Sequence, residues 1–156
     1  MTELRYHRAT VADVEVLTET RAIVLHAANK LPADVAIPQE IYDNAREFYA
    51  RAIADGTHVA YLVFDGDKVV GAGGVTFFQL IPFYYNRTGR CAQVVNMYTH
   101  PDYRRRGVAW KTLDLIVAEV RSRGLISVGL EATDMGMPLY EKYGFEMQNH
   151  EMRLDF

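Results

Sequence analysis

The chain has 156 residues, of which 49% are hydrophobic and 24% are charged. This length fits a single domain over residues 1–156, and the composition excludes an intrinsically disordered protein. The formal net charge of −3 disfavours a general nucleic-acid binder, which would carry a surplus of lysine and arginine.

The cysteine content and the lengths of the apolar segments exclude further classes of protein. A lone cysteine, Cys91, excludes an internal disulfide framework and a zinc site built from several thiolates, so we expect no metal site. No apolar run approaches the ~20 residues that cross a bilayer, and the N-terminus is too polar for a signal peptide. We therefore expect a cytoplasmic protein, monomeric or homodimeric, that binds neither membranes nor nucleic acid.

The first third of the chain carries the pattern of one strand and two helices. Residues 4–8 alternate as in a strand, and Thr10 with Asp13 forms the pattern of a capping box at a helix start. One face of the first helix repeats at helical spacing through Val14, Leu17, Arg21, Val24 and Ala28. The second helix ends at Asp55-Gly56, and its face comprises Ile41, Ala45, Phe48, Ala52 and Ile53.

The remainder of the chain is rich in predicted strands. Residues 58–64 and 68–78 form a hairpin, because the Asp65-Gly66 turn tolerates positive φ angles. Three glycines in its second strand indicate a bulge or a close backbone approach: Gly71, Gly73 and Gly74. The elements that follow are a strand at 91–99, a helix from 108 to Arg123-Gly124, a strand at 126–130, a helix at 135–143 and one or two strands within 146–154.

This order of elements predicts an α+β fold. Adjacent strands joined by short turns pair antiparallel, whereas the strand–helix–strand step around residues 107–124 implies a parallel crossover. We therefore expect a mixed, mainly antiparallel sheet flanked by helices.

A basic loop before the third predicted helix carries the most informative pattern. Residues 100–111 contain four Lys/Arg and one Asp, a local charge of +3 in a chain of net charge −3. A helix N-terminus has free N–H groups and partial positive charge, and it binds phosphate or pyrophosphate. Gly107 allows the backbone to come close to such an anion, and Ala109 keeps the next turn uncrowded. A solvated loop that caps an ordinary helix is the alternative.

Short motifs at a specific order and spacing surround this loop. The loop reads Arg104-x-x-Gly107-x-Ala109 and follows Met97-Tyr98-Thr99-x-Pro101. Further along, the chain reads Leu139-Tyr140-x-x-x-Gly144-Phe145. Together these motifs resemble the pyrophosphate loop, the central strand end and the Leu-Tyr-x-x-x-Gly-Phe segment of the GNAT superfamily of acetyl-CoA-dependent N-acetyltransferases. The order of predicted elements is similar to that of the family over nearly the whole chain.

The resemblance implies an acyl-CoA-dependent N-acyltransferase that uses acetyl-CoA as cosubstrate. The pantetheine arm would pair like an added strand with the backbone of Met97, Tyr98 and Thr99. A backbone amide near Met97 or Tyr98 would serve as the oxyanion donor to the thioester. The CoA pyrophosphate would lie on the amides of Arg104, Arg105, Arg106, Gly107, Val108 and Ala109.

The implied reaction moves two protons. An alkylammonium has a pKa near ~10.4 and must lose a proton before it attacks, while the leaving thiolate, with a pKa near ~8.5, needs only modest help. Tyr140 occupies the Leu-Tyr position of the family and is the predicted general acid. Glu131 is a possible base, Asp134 is another, and proton loss to ordered water is a third route. Gln93 and Asn96 on the central strand cannot take a proton.

The acceptor is expected to be a small-molecule primary amine that attacks the thioester directly. Its pocket should form from the first two helices and the aromatic loop at 77–85, where Phe83, Tyr84 and Tyr85 favour an apolar, ring-bearing or cationic acceptor. A dimer contact or a cover over a core edge is the alternative role for these aromatics. Two other functions stay open: a CoA-binding sensor or partner module without turnover and, disfavoured by the net charge, a nucleic-acid module.

Overall fold

The computed structural model describes residues 3–148 and 150–156. The strands are Arg5–Arg8 (β1), His58–Asp65 (β2), Lys68–Gln79 (β3), Arg90–Thr99 (β4) and Gly129–Leu130 (β5). The helices are Val14–Ala28 (α1), Gln39–Asp55 (α2), Val108–Ser122 (α3) and Met137–Tyr143 (α4). Across these described ranges, none of the helices has the length and hydropathy needed to cross a bilayer.

The five strands form one mixed sheet in the order β1-β2-β3-β4-β5. Each of the first four strands pairs antiparallel with its neighbour in the chain, and β5 runs parallel to β4. A parallel pair needs a crossover connection, which α3 supplies. The predicted α+β fold with a mainly antiparallel sheet is therefore confirmed.

Local signals set the helix boundaries close to the predicted positions. The backbone N–H of Thr10 donates to Asp13 Oδ2 at 2.7 Å, and the N–H of Ala12 donates to Thr10 Oγ1 at 3.3 Å, so the capping box forms. Gly56 ends α2 with a φ of 79°, the left-handed conformation that glycine adopts without a steric penalty. These caps satisfy free backbone groups at the helix ends through residues that are close in sequence.

Alternation along β2 divides the core between the two faces of the sheet. Val59 and Tyr61 pack on the face covered by α3 and α4, whereas Ala60 and Leu62 pack on the face covered by α1 and α2. The α3 face includes Val75, Val94, Leu113, Ile116, Val117, Val120 and Tyr140. The α1 face includes Ala9, Leu17, Tyr49 and Ala72. Burial of both faces fixes the register of the central strands.

Three predictions at the C-terminal end are wrong. The strand expected at 126–130 is confined to Gly129–Leu130, and the last helix begins at Met137 rather than at residue 135. No strand forms at 146–148 or 150–156, where one or two were expected, and Asn149 lies outside the described residues. Met152, Leu154 and Phe156 alternate with charged residues yet stay exposed. A period of two predicts a strand only when a neighbouring strand and an apolar layer are available to pair with it.

A buried histidine links the stability of this fold to pH. His58 is 3% exposed, its ring lies 5.2 Å from that of Phe48 and 5.6 Å from that of Tyr49, and its Nδ1 lies 3.0 Å from Thr76 Oγ1. Burial lowers the pKa of His58 to about 4, because the imidazolium form would lose its hydration.

We expect the free energy of unfolding to decrease when the pH is lowered from 7 to 5. In this range the unfolded chain takes up a proton at His58, whose ordinary pKa is 6.5, and the folded chain does not. Acid therefore favours unfolding, by about 2 kcal/mol at pH 5, and the loss levels off below the folded pKa. Urea denaturation at a series of pH values measures this change in the free energy of unfolding. His58→Gln offers Thr76 a polar partner without titrating, so an unchanged slope in this variant would assign the effect to other groups.

Candidate active site

β4 is the strand on which the candidate site is built. It pairs with β3 along its length, but it pairs with β5 only through Gln93 and Val94. Within the described chain, the backbone of residues 95–99 therefore has no strand partner on the β5 side. The two parallel strands diverge beyond Val94, and unpaired main-chain groups at such an edge can accept an added extended chain.

A bulge distorts β4 beside this divergence. Ala72 and Gly74 of β3 oppose Tyr98 and Val95 of β4, so two β4 residues face one β3 residue. Asn96 adopts a φ of 60°, a left-handed conformation that asparagine tolerates better than most residues. The bulge that the β3 glycines predicted is thus present, and its extra residue belongs to β4.

Gly73 explains why the glycines of β3 are needed. A Cβ atom there would lie 2.6 Å from Met97 Sδ, 2.8 Å from Thr112 Cγ2 and 3.0 Å from Ile116 Cδ1. Such distances are well inside van der Waals contact, so only glycine lets α3 and Met97 approach the sheet this closely. The close backbone approach predicted for these glycines therefore also occurs.

The N-terminus of α3 follows β4 and presents free backbone N–H groups. Gly107 caps the helix with a φ of 78°, and Arg105 has a φ of 64°. In the described residues, the N–H groups of 105–110 donate to no acceptor, whereas the N–H of Lys111 donates to the carbonyl of Gly107 at 3.0 Å. Left-handed residues in a turn that exposes successive N–H groups form an anion-binding concavity.

Cationic side chains surround this concavity. Arg104, Arg105 and Arg106 are all exposed. The guanidinium of Arg106 lies 5.1 Å from the centroid of the Tyr103 ring, and the Tyr103 hydroxyl donates to Asp65 Oδ2 at 2.6 Å. The loop is thereby fixed to the β2–β3 turn while its positive charge faces solvent.

Thr99, at the end of β4, has a polar side-chain atom that the described part of the fold leaves unsatisfied. Its hydroxyl oxygen is buried and has no hydrogen-bond partner in the part of the chain that the structure describes. An unsatisfied buried polar group costs about 1–3 kcal/mol, so natural structures rarely keep one without a use. At Gly107, no atom lies within 4 Å of the position that a Cβ would take. The unsatisfied hydroxyl of Thr99, the free space around Gly107 and the free N–H groups fit an extended ligand that ends in phosphate.

Tyr140, the predicted general acid, lies on α4 against the α3 face of the sheet. It is 8% exposed and shares its cluster with Val94 of β4, and its ring centroid lies 5.9 Å from that of Phe145. A Cβ at Gly136 would lie 2.9 Å from the ring, so this glycine makes room for the tyrosine. Burial raises the pKa of the Tyr140 hydroxyl. That hydroxyl has no hydrogen-bond partner among the residues described here.

Tyr143, one turn further along α4, has contacts of a different kind. Its hydroxyl donates to Asp114 Oδ1 at 2.7 Å, and its ring centroid lies 4.9 Å from that of Trp110. Burial and the bond to Asp114 raise the pKa of Tyr143 to about 12. These contacts join α4 to α3 and give Tyr143 a packing role.

Glu131 and Asp134, the candidate bases, follow β5 and are exposed. Neither has a hydrogen-bond partner among the residues of 3–148 and 150–156, and the role of Glu131 stays a prediction. His100 has a local task, because its Nδ1 accepts the N–H of Asp102 at 3.2 Å and caps the short helix Pro101–Tyr103.

Three aromatic residues of the loop at 77–85 that we predicted for the acceptor pocket are exposed, and their role stays a prediction. Phe83, Tyr84 and Tyr85 are 47%, 79% and 81% exposed. A groove of about 450 Å³ runs instead between α1, the start of β3 and the end of β4. None of the three aromatics lines it; the lining residues are Val16, Glu19, Thr20, Ile23, Lys68, Val69, Tyr98 and His100.

Arg21 of α1 reaches the bulge of β4, a contact that the sequence analysis did not assign. Its Nη1 donates to Asn96 Oδ1 at 2.9 Å. Arg21 is half-buried, and its positive charge acts on the hydroxyl of Tyr49 from α2. The available signal was an arginine on an otherwise apolar helix face, between Leu17 and Val24.

A mixed sheet with two diverging parallel strands and an anion-binding helix N-terminus defines an acyltransferase fold. The sequence model of the acetyltransferase (GNAT) family matches residues 25–145, and the chain belongs to this family. It is therefore an enzyme of the N-acyltransferase type, as its motifs predicted.

Individual relatives agree with this assignment. A predicted acetyltransferase from Clostridium acetobutylicum, solved with acetyl-CoA, superposes with a TM-score of 0.89 at 25% identity and covers 98% of this chain and 96% of that chain. The GCN5-related N-acetyltransferase from Ralstonia eutropha JMP134 has the same fold, with a TM-score of 0.84 at 20% identity over 98% of this chain and 99% of that chain. A glucosamine 6-phosphate N-acetyltransferase from Trypanosoma brucei brucei is 31% identical over 90 residues, which span 56% of this chain and 58% of that protein.

Proposed function

We propose that this enzyme transfers an acetyl group from acetyl-CoA to the primary amine of a small molecule. The observation that carries the proposal is the continuity of the site along β4. An unpaired strand edge at residues 95–99 leads to the orphaned hydroxyl of Thr99 and then to the free N–H groups of α3. A molecule with an amide-containing arm and a diphosphate has groups that match both ends.

Some of the residues predicted from the motifs would bind the amide-containing arm of this ligand, and the others would bind its diphosphate. Met97, Tyr98 and Thr99 offer main-chain groups to the arm, and the Thr99 hydroxyl gains a partner when the arm binds. Charge and N–H groups for the diphosphate come from Arg104, Arg105, Arg106, Gly107, Val108 and Ala109. When bound, acetyl-CoA supplies the activated thioester. The Clostridium acetobutylicum relative solved with acetyl-CoA supports this choice of cosubstrate.

The bulge at Asn96 positions the reacting end. A bulge turns main-chain groups away from the regular ladder, and we assign the N–H of Met97 or Tyr98 as the donor to the thioester oxygen. Donors fixed by the backbone need no reorganisation as negative charge develops on that oxygen.

Tyr140 is assigned as the proton donor to the departing sulfur. Its raised pKa keeps the hydroxyl protonated throughout the neutral range, which an acid requires. The amine must lose its own proton to water or to Glu131, whose exposed carboxylate follows β5. The acceptor therefore attacks as a neutral amine, and the second proton that its nitrogen loses as the C–S bond breaks replaces the one that Tyr140 gives to sulfur.

We expect acetyl-CoA to raise the melting temperature of the protein. A ligand that binds only the folded chain adds about 2.7 kcal/mol of stability at a hundredfold excess over its Kd. Differential scanning fluorimetry measures the shift. An unchanged Tm at saturating acetyl-CoA would contradict the cosubstrate assignment.

Gly107→Val should weaken acetyl-CoA binding by roughly tenfold or more, because its side chain projects into the anion concavity. Gly124→Val is the matched control, since Gly124 follows the other end of α3 with a φ of 74° and likewise has no atom within 4 Å of a Cβ. Both variants carry the same backbone strain. Isothermal titration calorimetry with acetyl-CoA separates them, and an equal loss of affinity in both would assign the effect to strain alone.

Tyr140→Phe should lower kcat roughly tenfold to a thousandfold while acetyl-CoA affinity is retained. Because the pKa of Tyr140 is raised, the wild type should lose activity only above pH 10, and this alkaline decline should be absent from the variant. Thiol release with a panel of small amines, glucosamine 6-phosphate among them, provides the assay. Tyr143→Phe removes a hydroxyl from the same helix and serves as the control; equal kcat losses in the two variants would point to a disturbed helix.

A further inference from the structure

We infer that Arg21 binds an anionic group of the acceptor, which makes the acceptor a small amine that also carries a carboxylate or a phosphate. This inference rests on the proposed acetyl transfer and specifies the chemical class of its acceptor. It assigns Arg21 as a residue that determines specificity.

The charge of Arg21 is not balanced within the protein. Among the described residues no carboxylate forms an ion pair with it, although it is half-buried. Two other arginines of the chain do have a carboxylate partner, because Arg8 pairs with Glu119 at 2.7 Å and Arg46 pairs with Glu15 at 2.6 Å. A guanidinium that loses part of its hydration without gaining an acid is a costly arrangement unless a ligand supplies the anion.

The guanidinium of Arg21 also has hydrogen-bond donors that no described residue uses. Its bond to Asn96 Oδ1 uses one N–H of the five that arginine carries, and it is the sole hydrogen bond of Arg21 in the described chain. The planar fork of the remaining donors matches a carboxylate or phosphate in bidentate geometry. The neutral amide of Asn96 orients the fork without cancelling its charge.

The position of Arg21 relates this anion site to the reacting atoms. Asn96 directly precedes Met97 and Tyr98, one of whose N–H groups we assign to the thioester oxygen, and consecutive Cα atoms lie about 3.8 Å apart. An anion on Arg21 therefore lies within the length of a small molecule from the carbon that the amine attacks. Arg21 reaches β4 from the α1 face, whereas α3 and Tyr140 lie on the opposite face.

Binding of matched amine pairs tests the inference. One pair is phosphoethanolamine and ethanolamine, and the other is glycine and glycinamide; each pair differs in the anionic group. Isothermal titration calorimetry into protein saturated with CoA measures binding without turnover. We expect the wild type to bind the anionic member of at least one pair with at least tenfold higher affinity than the neutral member. The pair that shows this preference identifies phosphate or carboxylate as the anion.

Arg21→Gln should reduce this preference to near unity and leave the CoA affinity unchanged. Arg21→Lys keeps the charge but loses the planar fork, so it should retain part of the preference for the anionic amine. This variant tests the inference if the glutamine variant does not fold. Arg51→Gln, which removes an exposed arginine from α2, should change neither quantity.

Each result decides between the two roles that Arg21 can have. A simple tether between α1 and β4 would weaken all four amines equally in Arg21→Gln, and that result overturns the inference. So does a wild type that binds none of the amines, or that binds both members of each pair alike. A preference that depends on Arg21 without acetyl transfer to any amine in the thiol-release assay would support the anion site and contradict the proposed function instead.

Discussion

The site depends on the unequal pairing of β4. One edge of this strand is held by β3 along its length, while the other edge meets β5 at only two residues, Gln93 and Val94. The strand is thus fixed in position, and in the part of the chain that the structure describes its residues 95–99 have no strand partner on the β5 side. A fully paired β4 would satisfy their main-chain groups internally and leave no place for an extended ligand.

The sheet separates the two halves of the proposed reaction. Tyr140 and α3, to which we assign the cosubstrate, pack on one face of the sheet, and Arg21 approaches from the face covered by α1 and α2. Both faces meet at the bulge, because Asn96 takes the bond from Arg21 while Met97 packs toward α3. In the reaction that we propose, one strand would therefore bring an acyl donor and an amine acceptor together from opposite sides.

Short-range patterns were reliable where residues close in sequence supply the whole interaction. The Thr10-Asp13 capping box and the Asp65-Gly66 turn both form as predicted, because each involves neighbours within a few residues. Patterns that need a distant partner were less reliable. The alternation within 146–154 predicted one or two strands, but Met152 and Leu154 are exposed and form none.

The sequence by itself determined the family and the residues of its motifs, because a helix N-terminus with Gly107 and a basic loop is a local device that short spacings specify. It also determined the order of the elements as far as α4 through their hydrophobic periods. Only the tertiary structure decided where β4 and β5 part, that the extra residue of the bulge is Asn96, and that Arg21 meets it across 75 positions of the chain. Those features arise from packing between segments far apart in sequence, for which no local pattern exists.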